Sequence, residues 1–315
     1  MATERWAALD DLRGLAVIVM IPVNVAAGFA AIPAWFKHAP AAGLTLADMV
    51  LPVFLFSLGL SASFSFKKRL ARTGFVRTFL HALYRYALLF AFGTVGILFV
   101  DQGARWEVLQ MLGATGLFSF FFHFLPPRPR LAAGALLLAA VEALRPVGLG
   151  LLMAGWYDTG LAGPWGTFSL SFIVIASSVL GEMLQTASAR RRAVTCAAAA
   201  GILAGAGLLS LLLAPFSKHL LSLSYVLFTT GVACALLALL VVVNENWKAT
   251  IPVAGMVGRN PLLLYMLHAV LGAFIVMAVT ATASALIAWA SILLVLCICV
   301  TVAWLLDARK LYLRL

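Results

Sequence analysis

Charge is what this chain has least of. Only 10% of its 315 residues are Asp, Glu, Lys or Arg, against roughly 25% in an ordinary soluble domain, and 64% are hydrophobic. That scarcity excludes a water-solvated globule and leaves lipid as the solvent. Acidic residues are scarcer still, with 11 Asp and Glu against 22 Lys and Arg and a formal net charge of +11. The basic residues sit in short clusters between long apolar runs rather than along one face. This excludes a nucleic-acid partner and fits loops that orient a protein in a membrane. Cysteine is also sparse. Cys196, Cys234, Cys297 and Cys299 all lie inside apolar stretches without the Cys/His spacing of a zinc site, so neither a disulfide framework nor a metal is expected. No repeat of roughly 20 to 50 residues is visible, and the chain reads as one transmembrane domain over residues 1 to 315.

Long apolar runs are what the chain has in abundance. At about 20 apolar residues per bilayer crossing, the sequence predicts an all-α polytopic membrane protein of about ten transmembrane helices. They fall near residues 13 to 33, 44 to 66, 78 to 100, 107 to 125, 131 to 149, 167 to 186, 193 to 213, 223 to 243, 258 to 280 and 283 to 306. Glu142 and Arg145 shorten the fifth. One set of alternate loops holds Arg5, Arg13, Lys67, Lys68, Arg69, Arg72, Arg77, Arg128, Arg130, Arg190 to Arg192, Lys248, Arg259, Arg309, Lys310 and Arg314; the other holds only Lys37, Arg105, Arg145 and Lys218. Because Lys and Arg prefer the cytoplasmic side, both termini are expected there, with the segments around His38, Asp101, Asp158 and Lys218 outside. The first span lacks the positive flank of a secretory signal, since Glu4, Asp10 and Asp11 offset Arg5 and Arg13.

Polar groups at membrane depth are costly and are functional candidates by default. The richest stretch contains Asp10, Arg13, Asn24, His38 and Asp48. Asn24 lies about 16 Å along the helix from Arg13 at 1.5 Å per residue, just after the kink expected at Pro22. An amide there serves either a site or a cross-helix hydrogen bond. His38 falls in an external turn and Asp48 near the start of the second span, so the two are candidates for a polar pocket at the outer mouth. A neutral imidazole can take a proton from an attacking amine or itself attack a thioester, and a nearby carboxylate would orient it. A lone loop histidine is equally a solvent-facing or structural residue, and His81, His123 and His219 are weaker candidates. Gly258, Arg259, Asn260 and Pro261 read as a turn feeding a helix whose free N–H groups could receive an anion or simply start the helix. His268, about two turns on, is either a buried hydrogen-bonding residue or part of a pocket lining.

Several segments, in order along nearly the whole chain, resemble the heparan-α-glucosaminide N-acetyltransferase family. They are Leu9 to Gly14 with Val23-Asn24, His38-Ala39-Pro40 with Gly43 to Phe56, Trp106 to Gln110, Lys218 with Ser222 to Val226, and Gly258 to Tyr265 with His268. The resemblance implies a multi-helix enzyme that takes acetyl-CoA from the cytosolic side and acetylates a glucosamine amine on the far side. It implies a catalytic role for His38, with Asn24 beside it; Asp48 is the carboxylate expected to orient the ring, and Lys218 and His268 are the expected substrate contacts. A homodimer is also implied. By charge and position, Arg77, Arg85, Arg259 and Asn260 are the expected contacts to the CoA phosphates. The chain departs from the family at Ala41 and Ala42, where a Trp and a polar residue are usual. A larger or lipid-linked acceptor is therefore expected to be preferred over free glucosamine.

The sequence thus reads as a multi-pass acetyl-CoA-dependent N-acetyltransferase of a bacterial inner membrane, with CoA as donor, a periplasmic amino sugar or glycan as acceptor, lipid around it and no metal. The competing reading is an amino-sugar permease, for which ten spans with midplane polar groups are also suited. Against it, intramembrane charge is too scarce to offer an evident ion-coupling site.

Overall fold

The computed structural model describes residues 6–40, 42–100, 106–156 and 161–313. The expectations for Glu4, Arg5, Ala41, Asp101, Arg105, Asp158 and Arg314 lie outside the described residues. Every regular element among those described is helical. In chain order they are α1 (Ala7–Ala26), α2 (Val50–Val100), α3 (Val108–Phe120), α4 (Pro127–Leu144), α5 (Gly150–Ala154), α6 (Gly166–Gln185), α7 (Ala189–Leu209), α8 (Leu223–Val241), α9 (Pro252–Gly258), α10 (Pro261–Ala278) and α11 (Ala285–Ala308).

Among the described residues, seven helices are long and apolar enough to cross a membrane, which makes this a multi-pass membrane protein. The second and third expected spans merge into α2. This element is 51 residues long, about 75 Å at 1.5 Å per residue. It is interrupted at Gly74, whose φ of 74° and ψ of 175° are non-helical and suit a residue without a Cβ. Gly74 lies inside the basic cluster Lys67 to Arg77, where sequence alone places a loop. α1 begins with Asp10, Asp11 and Arg13, and α3 with the turn after it, Val108–Phe124, is shorter than a full crossing. α4 ends in a π-turn over Arg145–Leu149, where Pro146 withholds an N–H and Gly148 takes a φ of 125°.

The chain divides into two compact units. One consists of Met1–Pro40, Leu44–Val53 and Leu236–Leu315, the other of Ala41–Gly43 and Phe54–Ala235. In the first unit, α1 packs on α9, α10 and α11. Its contact with α9 is backbone against backbone. A Cβ added to Gly14 would stand 1.8 Å from the Ala254 carbonyl oxygen, and one added to Gly258 would stand 1.8 Å from that of Asp10. Lipid supplies little hydrophobic drive between helices, so close approach through small residues does this work. At the same end, the Trp6 indole N–H donates to Glu245 at 2.6 Å and the Asn244 amide to Asp11 at 2.8 Å.

In the second unit, α6 packs against α3 and α4, and small residues bring it close to α2. A Cβ on Gly59 would stand 2.2 Å from the Val174 carbonyl, and one on Gly181 would stand 2.2 Å from the Ser63 hydroxyl. Arg130, 1% exposed, donates from Nη1 to Glu182 (2.7 Å) and Ser178 (3.3 Å). Its Nη2 donates to the carbonyls of His123 (3.1 Å) and Leu125 (2.8 Å), and Nε donates to Leu125 as well (3.2 Å). Lys67 reaches the other Glu182 oxygen at 2.6 Å. A buried guanidinium is tolerable only with this degree of pairing.

The α1–α9 contact yields a prediction. Gly14→Ala and Gly258→Ala should each destabilise the protein, because overpacking costs about 1–3 kcal/mol and lowers Tm by about 2–4 °C per kcal/mol in a chain of this size. Gly201→Ala, in α7 with nothing within 4 Å of the new methyl, should leave Tm unchanged or slightly raised. Thermal unfolding in detergent checks the contrast.

Candidate functional site

Asp48 has no exposed surface. It sits in a 3₁₀ turn, Ala47–Met49, that runs into α2. Thr45-Leu46-Ala47-Asp48 matches half of a capping box, in which an acid three residues on reaches back to the first N–H. One carboxylate oxygen accepts from the Thr45 N–H (3.1 Å), the Thr45 hydroxyl (2.9 Å) and the Ala39 N–H (3.2 Å). The other lies 2.8 Å from His38 Nδ1. An ionised carboxylate only accepts, so Nδ1 carries the hydrogen and the neutral ring has its lone pair at Nε2. The His38 side chain is 42% exposed. Upstream, the Lys37 ammonium donates to the Phe29 carbonyl at 2.5 Å and pins the same turn.

Asn24 is paired not with His38 but with His268. Its amide nitrogen lies 3.0 Å from His268 Nε2, which ties α1 to α10. The amide can only donate, so Nε2 accepts and the His268 hydrogen sits on Nδ1. His268 is buried and its ring lies edge-on to Tyr265.

Arg259 and Asn260 are occupied by the chain's own C-terminal segment. Arg259 pairs with Asp307, which also accepts from the Tyr312 hydroxyl at 3.0 Å. The Asn260 amide donates to the Leu311 carbonyl (3.0 Å) and accepts from the Leu313 N–H (2.8 Å), as a neighbouring strand would. These two residues therefore hold the segment from Asp307 to Leu313, Arg259 through a carboxylate and Asn260 through the peptide backbone.

Arg85 has a different setting. It lines a shallow cleft with Arg69, His81, His123, Thr78 and Tyr86, walled by Phe66 and Phe120. Arg85 Nε and His123 Nε2 are buried with no hydrogen-bond partner among the described residues. Arg77 is exposed and outside this lining. Sequence reasoning ranked His81 and His123 low and left Arg69 unassigned to any site. A signal existed in the spacing, since residues 62, 65, 66 and 69, and again 78, 81, 82, 85 and 86, recur on one helical face. That the two faces oppose each other depends on the turn at Gly74.

Lys218 lies in a turn between α7 and α8 whose base is buried. Ser222 accepts from the Ser217 N–H at 3.1 Å, and the Phe216 carbonyl accepts from the Gly43 N–H at 2.8 Å.

The clamp on the tail yields a prediction. Asn260→Ala should speed trypsin cleavage after Arg309 and Lys310 about thirtyfold, since two hydrogen bonds of about 1 kcal/mol each are lost. Timed proteolysis checks it.

The model of the heparan-alpha-glucosaminide N-acetyltransferase catalytic domain matches residues 5–162. That stretch includes Asn24, the His38–Asp48 pair and the basic cleft up to His123. The heparan-alpha-glucosaminide N-acetyltransferase of Mus musculus is 33% identical over 135 residues, covering 38% of this chain and 20% of that protein. The Homo sapiens protein of the same name is 42% identical over 69 residues, covering 22% and 10% respectively. The matched part thus spans a fifth or less of those relatives' length. With half of the chain matched by the family's catalytic model, this protein belongs to the heparan-alpha-glucosaminide N-acetyltransferase family.

Proposed function

We propose that the protein is a transmembrane N-acetyltransferase of a bacterial inner membrane. It moves the acetyl group of cytosolic acetyl-CoA to the amine of a periplasmic amino sugar or glycan. The observation that carries this reading is the His38–Asp48 hydrogen bond at 2.8 Å, which sets the tautomer that acyl transfer needs. With its lone pair at Nε2, the ring can take the proton lost by the amine as nitrogen attacks the thioester carbonyl and CoA leaves as the thiol. The same lone pair can instead form an acetyl-imidazole that the amine then cleaves. Asp48 supports both routes by stabilising the imidazolium-like state. Labelled acetyl-CoA mixed with enzyme in the absence of acceptor separates them, because only the second route leaves label on His38.

The donor is proposed to enter at the cleft of Arg69, His81, Arg85 and His123. Two guanidinium groups and two imidazoles suit the phosphates of CoA, and the aromatic walls suit its adenine. The cleft is lined by α2 on either side of Gly74, within the basic cluster expected to face the cytoplasm. The topology that accommodates it has about ten crossings, with α2 passing twice and α1 and α3 crossing as well. Arg259 and Asn260 bond to Asp307, Leu311 and Leu313, which supports assigning the donor to the Arg85 cleft rather than to them. The family's catalytic description is of an acetyl transfer, which favours this reading over a permease.

His38→Ala should lower acetyl transfer by about 10² to 10⁴, the usual contribution of general acid–base catalysis. Asp48→Asn should lose a comparable factor, because an amide donating to Nδ1 imposes the opposite tautomer. Both variants should still bind acetyl-CoA. Radiolabelled transfer to glucosamine, muropeptides and lipid-linked amino sugars measures this, and wild-type rates in His38→Ala would remove the histidine from the mechanism. Arg85→Ala should weaken CoA binding roughly tenfold or more, as a charge-assisted contact of about 1.5–3 kcal/mol is lost, while Arg259→Ala leaves it unchanged. Calorimetry showing no CoA binding by the wild type at millimolar concentration would overturn the enzyme reading.

A further inference from the structure

Glu142 and Arg145 stand at the end of α4, inside a segment otherwise apolar enough to cross the membrane. Ionisable groups at such a place are rare and expensive, and the reaction proposed above has no use for them. Their contacts show what they hold. They pair with each other at 3.2 Å, with their side chains 19% and 13% exposed. Glu142 Oε2 accepts from the Leu223 N–H at 2.9 Å, capping the first turn of α8 from another helix. Arg145 Nη2 donates to the Leu221 carbonyl at 3.3 Å. Between those two contacts the chain is strained, because Leu221 is fully buried at a φ of +50°, a conformation that bulky residues rarely adopt.

The turn held in this way runs from Phe216 to Leu223. It is closed from inside by bonds from Ser222 N–H to the Ser217 carbonyl (3.1 Å) and from Leu220 N–H to the Ser217 hydroxyl (3.2 Å). Lys218 and His219 are at its half-exposed tip. Its first residue accepts from Gly43, which follows His38 by five positions in the chain. Directly after Arg145, Pro146 and Gly148 break the helix, so α4 stops where the pair is needed.

We propose that Glu142 and Arg145 are positioning residues for acceptor binding, fixing the turn that presents Lys218 and His219 on the acceptor side. This rests on the acetyltransferase reading for the word acceptor, and on the hydrogen bonds alone for the positioning. The donor cleft shares no residue with this turn. The pair should therefore act on one substrate only.

The test uses the full-length protein in detergent, with dodecyl β-D-glucosaminide as the amine probe. Glu142→Gln and Arg145→Met should raise the KM for the probe about tenfold or more, the scale of one lost charge-assisted hydrogen bond. kcat should stay within about twofold, and CoA affinity should not change. Arg145→Lys, which keeps the charge and a donor, should recover part of the loss. In parallel, Lys218→Cys alone and combined with either substitution is alkylated with a maleimide. The alkylation rate should rise several-fold in the combined variants. An unchanged probe KM, or a fall in kcat that tracks a fall in folded fraction with KM constant, would overturn the acceptor role. Unchanged alkylation rates would overturn the positioning. Absence of acetyl transfer by the wild type to any amine would refute the enzyme reading and the acceptor role with it, leaving the alkylation arm to decide the positioning alone.

Discussion

Asp48 is a carboxylate with no exposed surface and four donors around it. A charge in that position survives only when its oxygens are satisfied, so Ala39, Thr45 and His38 are brought to it as a condition of folding. The consequence for chemistry follows directly. A histidine in an exposed turn, otherwise free to sample rotamers and both tautomers, becomes a ring of fixed orientation with its lone pair on a defined nitrogen. The same carboxylate organises the entry to α2, so the site and the start of the longest helix depend on one residue.

Within each unit, the helices approach one another through absent side chains. Gly14 and Gly258 bring α1 and α9 into backbone contact, and Gly59, Ser63, Ser177 and Gly181 do the same for α2 and α6. In lipid, where apolar surface gains nothing by being removed from solvent, van der Waals contact between backbones and a few buried polar bonds carry the cohesion. The polar bonds are few but fully used. Arg130 spends each of its N–H groups within the second unit, and Asn24 joins α1 to α10 through His268 in the first.

The role of a residue read from charge and position alone depends on what the fold sets beside it. Arg85 and Arg259 look alike in sequence, each a basic residue near a loop expected to face the cytoplasm. In the structure Arg85 lines an open cleft with a nitrogen unpartnered among the described residues, whereas Arg259 is neutralised by Asp307 some 48 positions away. Asn260 is likewise taken by Leu311 and Leu313. No local pattern announces such a partner. His123 is the converse case: it ranks low as an isolated histidine near a helix end, but Arg130 holds its carbonyl and Phe66 packs on its ring within the cleft wall.

The sequence by itself determined the class of the protein, because composition and the length of apolar runs are set by the solvent and need no partner to be read. It also determined the family, through segments whose order along the chain is itself the signal. The Thr45–Asp48 spacing and the position of His38 were local enough to be legible as candidates. The tertiary structure alone decided which polar groups meet. Asn24 finds His268 across 244 positions, the cleft forms only when α2 turns at Gly74, and the Glu142–Arg145 pair acquires its use from a turn some 76 positions later. Hydrogen bonding acts over about 3 Å, and only the packed fold determines which distant residues come within that range.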